Sequence, residues 1–483
     1  MSRHVIDSHD HILSARKIMG IVFKNPREGH HYKGSFWIFS KGTFRPISDE
    51  LIRGYIWLTL EESDRVIEID GGKTKRIAVK PKQSQVNSIL SAMKAVCAIG
   101  DDQDAPFWLP GAPPELAALA PKDFISVANG LLHVPTSRLY PHTPTYFNLY
   151  ASDIRYDPGI PRPSQWHKFL DEVFVSDIEA KNTLQDWFGY NLTPDTSLQK
   201  IMLIVGPRRG GKGTIGRIMR LMLGKDSVAA LTLASLGETF GLQHLIGRPA
   251  CIIPDARFSK RMDPAIIAER LLSISGEDAI PINRKFTGMW NGSLPTRFTI
   301  FTNELPAIAD MSGALLERFV IIKLTKTFAG HEDPTLFDRL SQEASGILNW
   351  AIIGYQRLRE AGRFRQPASS VETAAAIRQI SSPLADFIEE QCDVGSSMSI
   401  EIGRLFQAWE NWCVKKRMPA GSTQIFGRDL RAILPELGEY RPSGGSRARF
   451  YRGISLLSAE EHEPSKIVPL RPGPYKADEP PTK

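Results

Sequence analysis

The sequence predicts an α/β protein whose core is a parallel sheet, with a mixed α+β region before it and a smaller helical, basic region after it. Three observations carry this expectation. Residues 201–205, Ile-Met-Leu-Ile-Val, are an apolar run rich in β-branched side chains, followed by a glycine-rich turn and a helical run from Lys212 to Leu223. Two later apolar runs, 250–254 and 298–302, each lead into a polar side chain, Asp255 and Asn303. A further one, 319–324, follows Arg318.

The turn after residue 205 reads Gly206, Pro207, Arg208, Arg209, Gly210, Gly211, Lys212, Gly213, Thr214. Strand, glycine-rich loop and helix in that order make a phosphate-binding loop, so these nine residues are expected to hold ATP. Gly206 and Gly211 frame the turn, because backbone N–H groups close around phosphate oxygens only where no Cβ intrudes. Lys212 supplies a point charge for the β- and γ-phosphates, and the N-terminus of the helix adds aligned amide dipoles. One position departs from the pattern G-x-x-x-x-G-K-[ST]: Gly213 stands where a Mg²⁺-binding hydroxyl is usual, and Thr214 follows one residue later. Thr214 and Asp255 are the expected Mg²⁺ residues, with direct contact by the hydroxyl weakened by the shift. A glycine-rich turn with a surface lysine is the plain alternative, and the flanking strand and helix argue against it.

At 483 residues the chain exceeds one core, and about 150 residues per domain gives about three. No apolar run reaches membrane-spanning length and the N-terminus lacks the apolar core of a signal peptide, so a cytoplasmic protein without a membrane partner is expected. Cys97, Cys251, Cys392 and Cys413 are far apart, which implies neither a zinc module nor a disulfide framework. The net charge of +7 favours a polyanionic partner. Its excess is concentrated: between Glu401 and Arg452 stand ten Lys/Arg against five Asp/Glu.

Taken in order, residues 1–28 show little periodicity and read as an arm with a short helix. Residues 35–47 read as a hairpin, followed by a helix from Asp49 to Leu60. His30 and His31 lack a partner at ligand spacing and read as solvated. Glu68 and Asp70 share a strand face, as metal-holding carboxylates do, but the Gly-Gly that follows is hairpin-turn chemistry. Residues 84–98 read as helix, 101–121 as a Pro-rich connector and 124–150 as short strands and turns. Helices at 164–174 and 177–190 carry Trp166, Phe169, Leu170, Leu184, Trp187 and Phe188 at core spacing. Residues 335–362 read as one amphipathic helix, and 371–393 as helical with a break at Ser382-Pro383. The pattern divides the chain into an N-terminal α+β region of uncertain role (1–120), a pre-ATPase region (121–195), the ATPase core (196–365), a C-terminal helical region (366–458) and a disordered tail (459–483).

The polar strand ends have an order of their own. Asp255, at the end of an apolar strand, is placed to hold Mg²⁺ through water. Asn303, at the tip of the strand beside the phosphate loop, can orient the attacking water or sense the γ-phosphate. Between them, residues 275–287 read as a strand leading into a hairpin with Arg284, Lys285 and Phe286 near its bend, and a basic residue beside an aromatic can hold a phosphate and stack on a base. A solvated hairpin is the competing reading.

In these motifs the chain resembles the C-terminal helicase portion of phage and plasmid primase–helicases, the poxvirus-like branch of the superfamily 3 helicases within the AAA+ class. The resemblance spans about 30–455 and is strongest at 124–330. The residues that carry it are Asn129-Gly-Leu-Leu, Pro141-His-Thr-Pro, the loop Gly206–Thr214, Ile253-Pro-Asp-Ala-Arg257, Ser275-Gly-Glu-Asp with Lys285, Thr302-Asn-Glu-Leu-Pro306 and Asp310 to Arg318. It implies that Lys212 binds phosphate, Asp255 is the Walker B acid, Asn303 is sensor 1, Arg318 is a finger reaching a neighbouring subunit's site, and Lys285 tips a DNA-gripping hairpin. Two departures stand out. Ala256 follows Asp255 where many AAA+ proteins carry a glutamate base, leaving Asp255, Glu277 or Glu304 as water-activating carboxylates, and residues 1–120 supply no convincing primase.

The segment 401–455 reads as helix (402–416), helix (426–434) and an Arg-rich hairpin, an order that resembles a winged helix whose wing carries Arg441, Arg447, Arg449 and Arg452. A solvated basic face is the alternative. The expected function is thus an ATP-dependent DNA helicase in the replication of a phage, plasmid or integrated element. It would act as a homo-hexamer on single-stranded and forked DNA, with ATP and Mg²⁺ and a separate primase or host replication proteins as partners. An ATP-regulated origin-binding module without processive unwinding is the second reading, and a small-molecule kinase, suggested only by G-K-G-T, the third.

Overall fold

The apolar run at 201–205 becomes one of the three inner strands of a five-stranded parallel sheet. In the computed structural model, which describes residues 4–6, 10–23, 25–69, 73–100, 103–256, 264–285, 287–304, 314–381, 383–416, 418–442 and 448–457, the chain forms two compact units, Met1–Ile380 and Ser381–Lys483. The sheet belongs to the first. Its elements are β1 (Ile201–Val205), α1 (Lys212–Leu223), β2 (Val228–Ala230), β3 (Ala250–Ile253), α2 (Pro264–Ser275), β4 (Arg297–Thr302) and β5 (Phe319–Lys323), with strand order β2-β3-β4-β1-β5. Such a strand is buried on both faces, which is why residues 201–205 are apolar without alternation.

Successive side chains still point to opposite faces. Met202 and Ile204 join Phe301, Val320 and Ile322 against α1 and the helices Ser164–Phe174, Ile178–Tyr190 and Ala344–Ala361. Ile201 and Leu203 join Cys251, Phe298, Ile300 and Ile321 against α2 and the short helix Leu233–Gly237. All six aromatic and aliphatic residues picked out at 166–188 lie in the first of these cores. Arg297, 2% exposed, ties the segment that leads into β1 to the residue before β3. Its guanidinium donates to the carbonyl oxygens of Tyr190 (2.7 Å), Thr193 and Asp195 (3.3 Å) and to Pro249 O (3.0 Å).

The N-terminal region is more ordered than its weak periodicity suggests. Residues His11–Val22 form a helix capped by Asp10, whose carboxylate accepts from Leu13 N at 2.8 Å. Ala15, Ile18 and Met19 pack with Ile52 and Ile56 of helix Asp49–Glu61 and with Ile89 and Met93 of helix Gln83–Val96. Exposed Ile12, Leu13 and Ile21 blur the amphipathic pattern, and the short helix expected within 1–28 is present at 11–22 and packs into a core. Strands Gly29–Tyr32, Ser35–Ser40 and Thr43–Ile47 form an antiparallel sheet, and Ser63–Ile69 pairs with Lys73–Ala78 as a hairpin. Asp70 lies outside the described residues.

Two expectations need correction. His30 is half-buried rather than fully solvated: its ring lies 5.5 Å from Phe44 and 6.1 Å from Phe147, and burial lowers its pKa. The helix expected at 335–362 is two, Leu336–Gln342 and Ala344–Ala361, broken at Glu343. The Glu343 carboxylate accepts from Gln165 N (3.0 Å), Trp166 N (2.9 Å) and Ser164 Oγ (3.2 Å), capping the helix that begins at Ser164.

The second unit holds helices Pro383–Gln391, Ile402–Lys416 and Thr423–Ile433 and an antiparallel sheet ordered Cys392–Glu401, Phe450–Leu456, Gly438–Tyr440. Phe387, Trp409, Trp412 and Phe426 form its aromatic centre, with Trp409 and Trp412 stacked at 5.3 Å. The four cysteines are free and buried. No helix among the described residues is long and apolar enough to cross a membrane. Residues 459–483, expected to be a disordered tail, lie outside the described residues.

Candidate nucleotide site

The loop after β1 is held from two sides. Arg209 (φ 60°) and Gly211 (φ 87°) take left-handed backbone conformations that turn the chain into α1. A side chain on Gly211 would start 2.9 Å from Val173, and one on Gly206 would start 2.8 Å from Leu324 Cβ. Packing against the flanking helix and strand therefore requires glycine at both positions. The segment after β5 clasps the loop: Leu324 N donates to Val205 O (2.8 Å), Thr327 Oγ1 to Arg208 O (3.0 Å) and Phe328 N to Arg209 O (3.0 Å).

Lys212, at the start of α1, meets Asn303 and Asp255, which stand just beyond the ends of β4 and β3. Lys212 is 9% exposed, and its Nζ donates to Gly206 O (2.6 Å), Pro207 O (2.7 Å) and Asn303 Oδ1 (2.9 Å). Asn303 Nδ2 in turn donates to Asp255 Oδ1 at 3.3 Å. Because β4 lies between β1 and β3, Asn303 stands between the lysine and the carboxylate. Burial lowers the Lys212 pKa, and the negative charge of Asp255 opposes that shift. Thr214 lies on the same cleft, its hydroxyl reached by Arg217 Nη2 at 3.4 Å.

The cleft over the loop has a volume of about 830 Å³. Its outer walls were not legible in the sequence: Gln165, Lys168 and Phe169 of the capped helix on one side, Phe328, His331, Glu332, Asp333, Leu336 and Arg339 on the other. Their only sequence signal is the turn-and-cap pattern at Asp333-Pro-Thr335, where Thr335 N and Oγ1 both donate to Asp333.

The structure distinguishes position 256 and two of the candidate carboxylates. Ala256 is buried, and its N–H donates to Phe301 O at 2.8 Å, so a glutamate side chain there would enter the core. Glu304 is exposed just beyond Asn303. Glu277 follows α2 and accepts a hydrogen bond from Thr196 Oγ1, at the sheet edge opposite the loop. Arg318 stands at that same far edge: Ile201 pairs with Phe319 at one end of the β1–β5 ladder, whereas Val205 pairs with Lys323 at the loop end. Five residues at about 3.3 Å put roughly 16 Å between the two edges.

The hairpin expected near 285 is present as Ile280–Arg284 and Thr287–Gly292. Lys285 at its bend is exposed, its N–H donates to Gln243 Oε1 (3.1 Å) and its Nζ lies 5.7 Å from the Phe240 ring. Phe240 is 39% exposed and lines, with His244, Arg248 and Lys285, a second cavity that no motif announced. Phe286 lies outside the described residues. In the second unit, Arg449 pairs with Glu439 at 3.1 Å, Arg431 takes the other oxygen of that carboxylate at 2.7 Å, and Arg452 lies 5.1 Å from the Tyr440 ring. Arg441 is exposed, and Arg447 lies outside the described residues.

Comparison with known proteins gives two family matches and a set of structural likenesses. Residues 16–175 match the family described as "D5 N terminal like", and residues 204–318 match the "Family of unknown function (DUF5906)". No curated protein matches the chain. A structure described as the apo form of the "NrS-1 C terminal region (305-718)" is 12% identical, with a TM-score of 0.49, over 91% of this chain and 99% of the other. The A form of that C-terminal region is 11% identical, with a TM-score of 0.48 over the same shares. The glycine-rich loop 206–214, Asp255, Asn303 and Arg318 all fall within the segment that matches the second of these families, and the segment that matches the first precedes them.

Proposed function

We propose that this chain is an ATP-driven DNA helicase of the superfamily 3, AAA+ type, working in the replication of a phage, plasmid or integrated element and active as a hexameric ring. The observation that carries the reading is the split between the two sheet edges. Lys212, Asn303 and Asp255 share hydrogen bonds at one edge, while Arg318 stands at the other, beyond reach of its own loop. An arginine so placed serves a nucleotide held by a neighbouring copy, and a ring supplies that neighbour to every subunit.

In this reading the amides of 206–213 and Lys212 hold the phosphates of ATP, and Lys212 moves from the loop carbonyls to the phosphate oxygens. Asn303, bridging Lys212 and Asp255, orients the attacking water. Arg318 of the adjacent subunit stabilises the charge that develops on the γ-phosphoryl group. The residues fit Mg²⁺, which takes one or two carboxylates and completes its shell with phosphates and water: Asp255 would hold it, with Thr214 at hand, and it would neutralise β- and γ-oxygen charge. Lys285, with Phe240 beside it, offers a cation for the DNA backbone and a ring for a base.

The origin-binding module remains the second reading because one observation favours it, the burial of Ala256 where a glutamate base is usual. ATP hydrolysis by wild type, Lys212→Ala and Arg318→Ala, with and without single-stranded DNA, tests the choice. The helicase reading expects DNA to raise turnover and both substitutions to lower it by at least about a hundredfold. Wild-type hydrolysis by Arg318→Ala would contradict a shared site and leave the binding module as the better account.

A further inference from the structure

We infer that Glu277 of one subunit supplies the carboxylate that activates water at the γ-phosphate bound by its neighbour. This rests on the shared-site reading above. The chain's own cleft does not offer the usual base, since position 256 is a buried alanine. Among the described residues, four carboxylates line that cleft: Asp255, which is given to Mg²⁺ in this reading; Glu172, on the helix Ser164–Phe174; Glu332, which lies 3.5 Å from Arg209 Nε and accepts from Gly330 N; and Asp333, which holds Arg339 and Thr335.

At the opposite edge a carboxylate and a guanidinium are presented together. Helix α2 ends in a reverse turn in which Glu277 N donates to Ile274 O (3.3 Å) and Asp278 N to Ser273 O (3.0 Å). Glu277 itself takes φ +67°, a left-handed position in which glycine is the usual residue, although Gly276 is next to it in the chain. Thr196 Oγ1 donates to Glu277 Oε1 and fixes the side chain. Arg318 Nη2 lies 3.5 Å from the point where a side chain on Gly276 would start, so the finger lies against the turn that carries Glu277. Any neighbour's nucleotide that meets Arg318 also meets this turn.

The step balances as a simple hydrolysis. The water oxygen bonds to the γ-phosphorus, the bond from that phosphorus to the β,γ-bridging oxygen breaks, and ADP leaves with the electron pair. The water's proton passes to Glu277 Oε and from there to solvent, giving ADP, inorganic phosphate and a proton.

The test is complementation between full-length variants. Glu277→Gln, Arg318→Ala and Lys212→Ala are each assayed for ATP hydrolysis alone and then co-assembled in pairs. Each alone should lose at least about a hundredfold. Glu277→Gln mixed with Lys212→Ala should regain activity, because about one interface in four of a randomly mixed ring joins an intact Lys212 to an intact Glu277. Recovery also shows that the glutamine variant folds and assembles. If Arg318→Ala complements Lys212→Ala but Glu277→Gln does not, Glu277 acts within its own chain and the inference is overturned while the shared site stands. If neither mixture recovers, the shared site itself fails. Full activity of Glu277→Gln alone would place the base elsewhere, with Glu172 and Glu304 next in line.

Discussion

Arg297 is a charged side chain used as a structural staple. Its donors go to main-chain carbonyls on the loop that enters β1 and on Pro249, so the guanidinium satisfies acceptors that would otherwise be buried unpaired. Lysine has three donors on one nitrogen and cannot span both groups. Arg297→Lys should therefore cost about 3 kcal/mol or more in a urea unfolding experiment, and a loss below about 1 kcal/mol would contradict the role. His30 gives a pH dependence whose sign is fixed by its burial. Its folded pKa lies below the ordinary value of about 6.5, so the unfolded chain binds the proton more readily. The stability it contributes is present above about pH 6.5 and is lost as pH falls toward the lowered folded value. His30→Gln, which keeps a donor for Arg27 O, should flatten part of that decline in a series of unfolding curves between neutral and mildly acidic pH. An unchanged decline would assign it to other groups, such as His133 and His167, which burial also shifts downward.

At the scale of elements, Glu343 does work that its position in the chain conceals. It lies 177 residues from Trp166, yet its carboxylate caps the helix that forms one wall of the cleft over the loop 206–214. Glu343→Ala should destabilise the first unit by about 1–2 kcal/mol and raise the KM for ATP more than it lowers kcat, whereas an unchanged KM would show that the wall does not contact nucleotide. The same residue marks where sequence reading stopped. The loop 206–214, the strand ends at Asp255 and Asn303, and the hairpin at 285 were legible because each is a local pattern: apolar run, turn chemistry, polar terminus. Glu343, Phe240 and the wall at 328–339 were not, because their roles come from pairing between distant segments that no local spacing encodes. The short helix expected within 1–28 is present at 11–22, but its burial was not legible, since exposed Ile12, Leu13 and Ile21 hide the stripe formed by Ala15, Ile18 and Met19.

For the whole molecule, charge and topology carry different parts of the account. The positive excess near the C-terminus is smaller in effect than a residue count implies, because Glu439 takes both Arg431 and Arg449 and Glu390 takes Lys416. The sheet, by contrast, separates the loop from Arg318 by the length of its strands, so under the proposed function a lone subunit would be an incomplete enzyme. The central claim is that completing the site in a ring moves DNA, and strand separation on a forked duplex measures it most directly. With ATP, wild type should open the fork. Lys212→Ala and Arg318→Ala should not, and Lys285→Ala should leave it closed while retaining basal hydrolysis. A fork that stays closed with wild type under conditions where single-stranded DNA binds and ATP is hydrolysed would contradict the account.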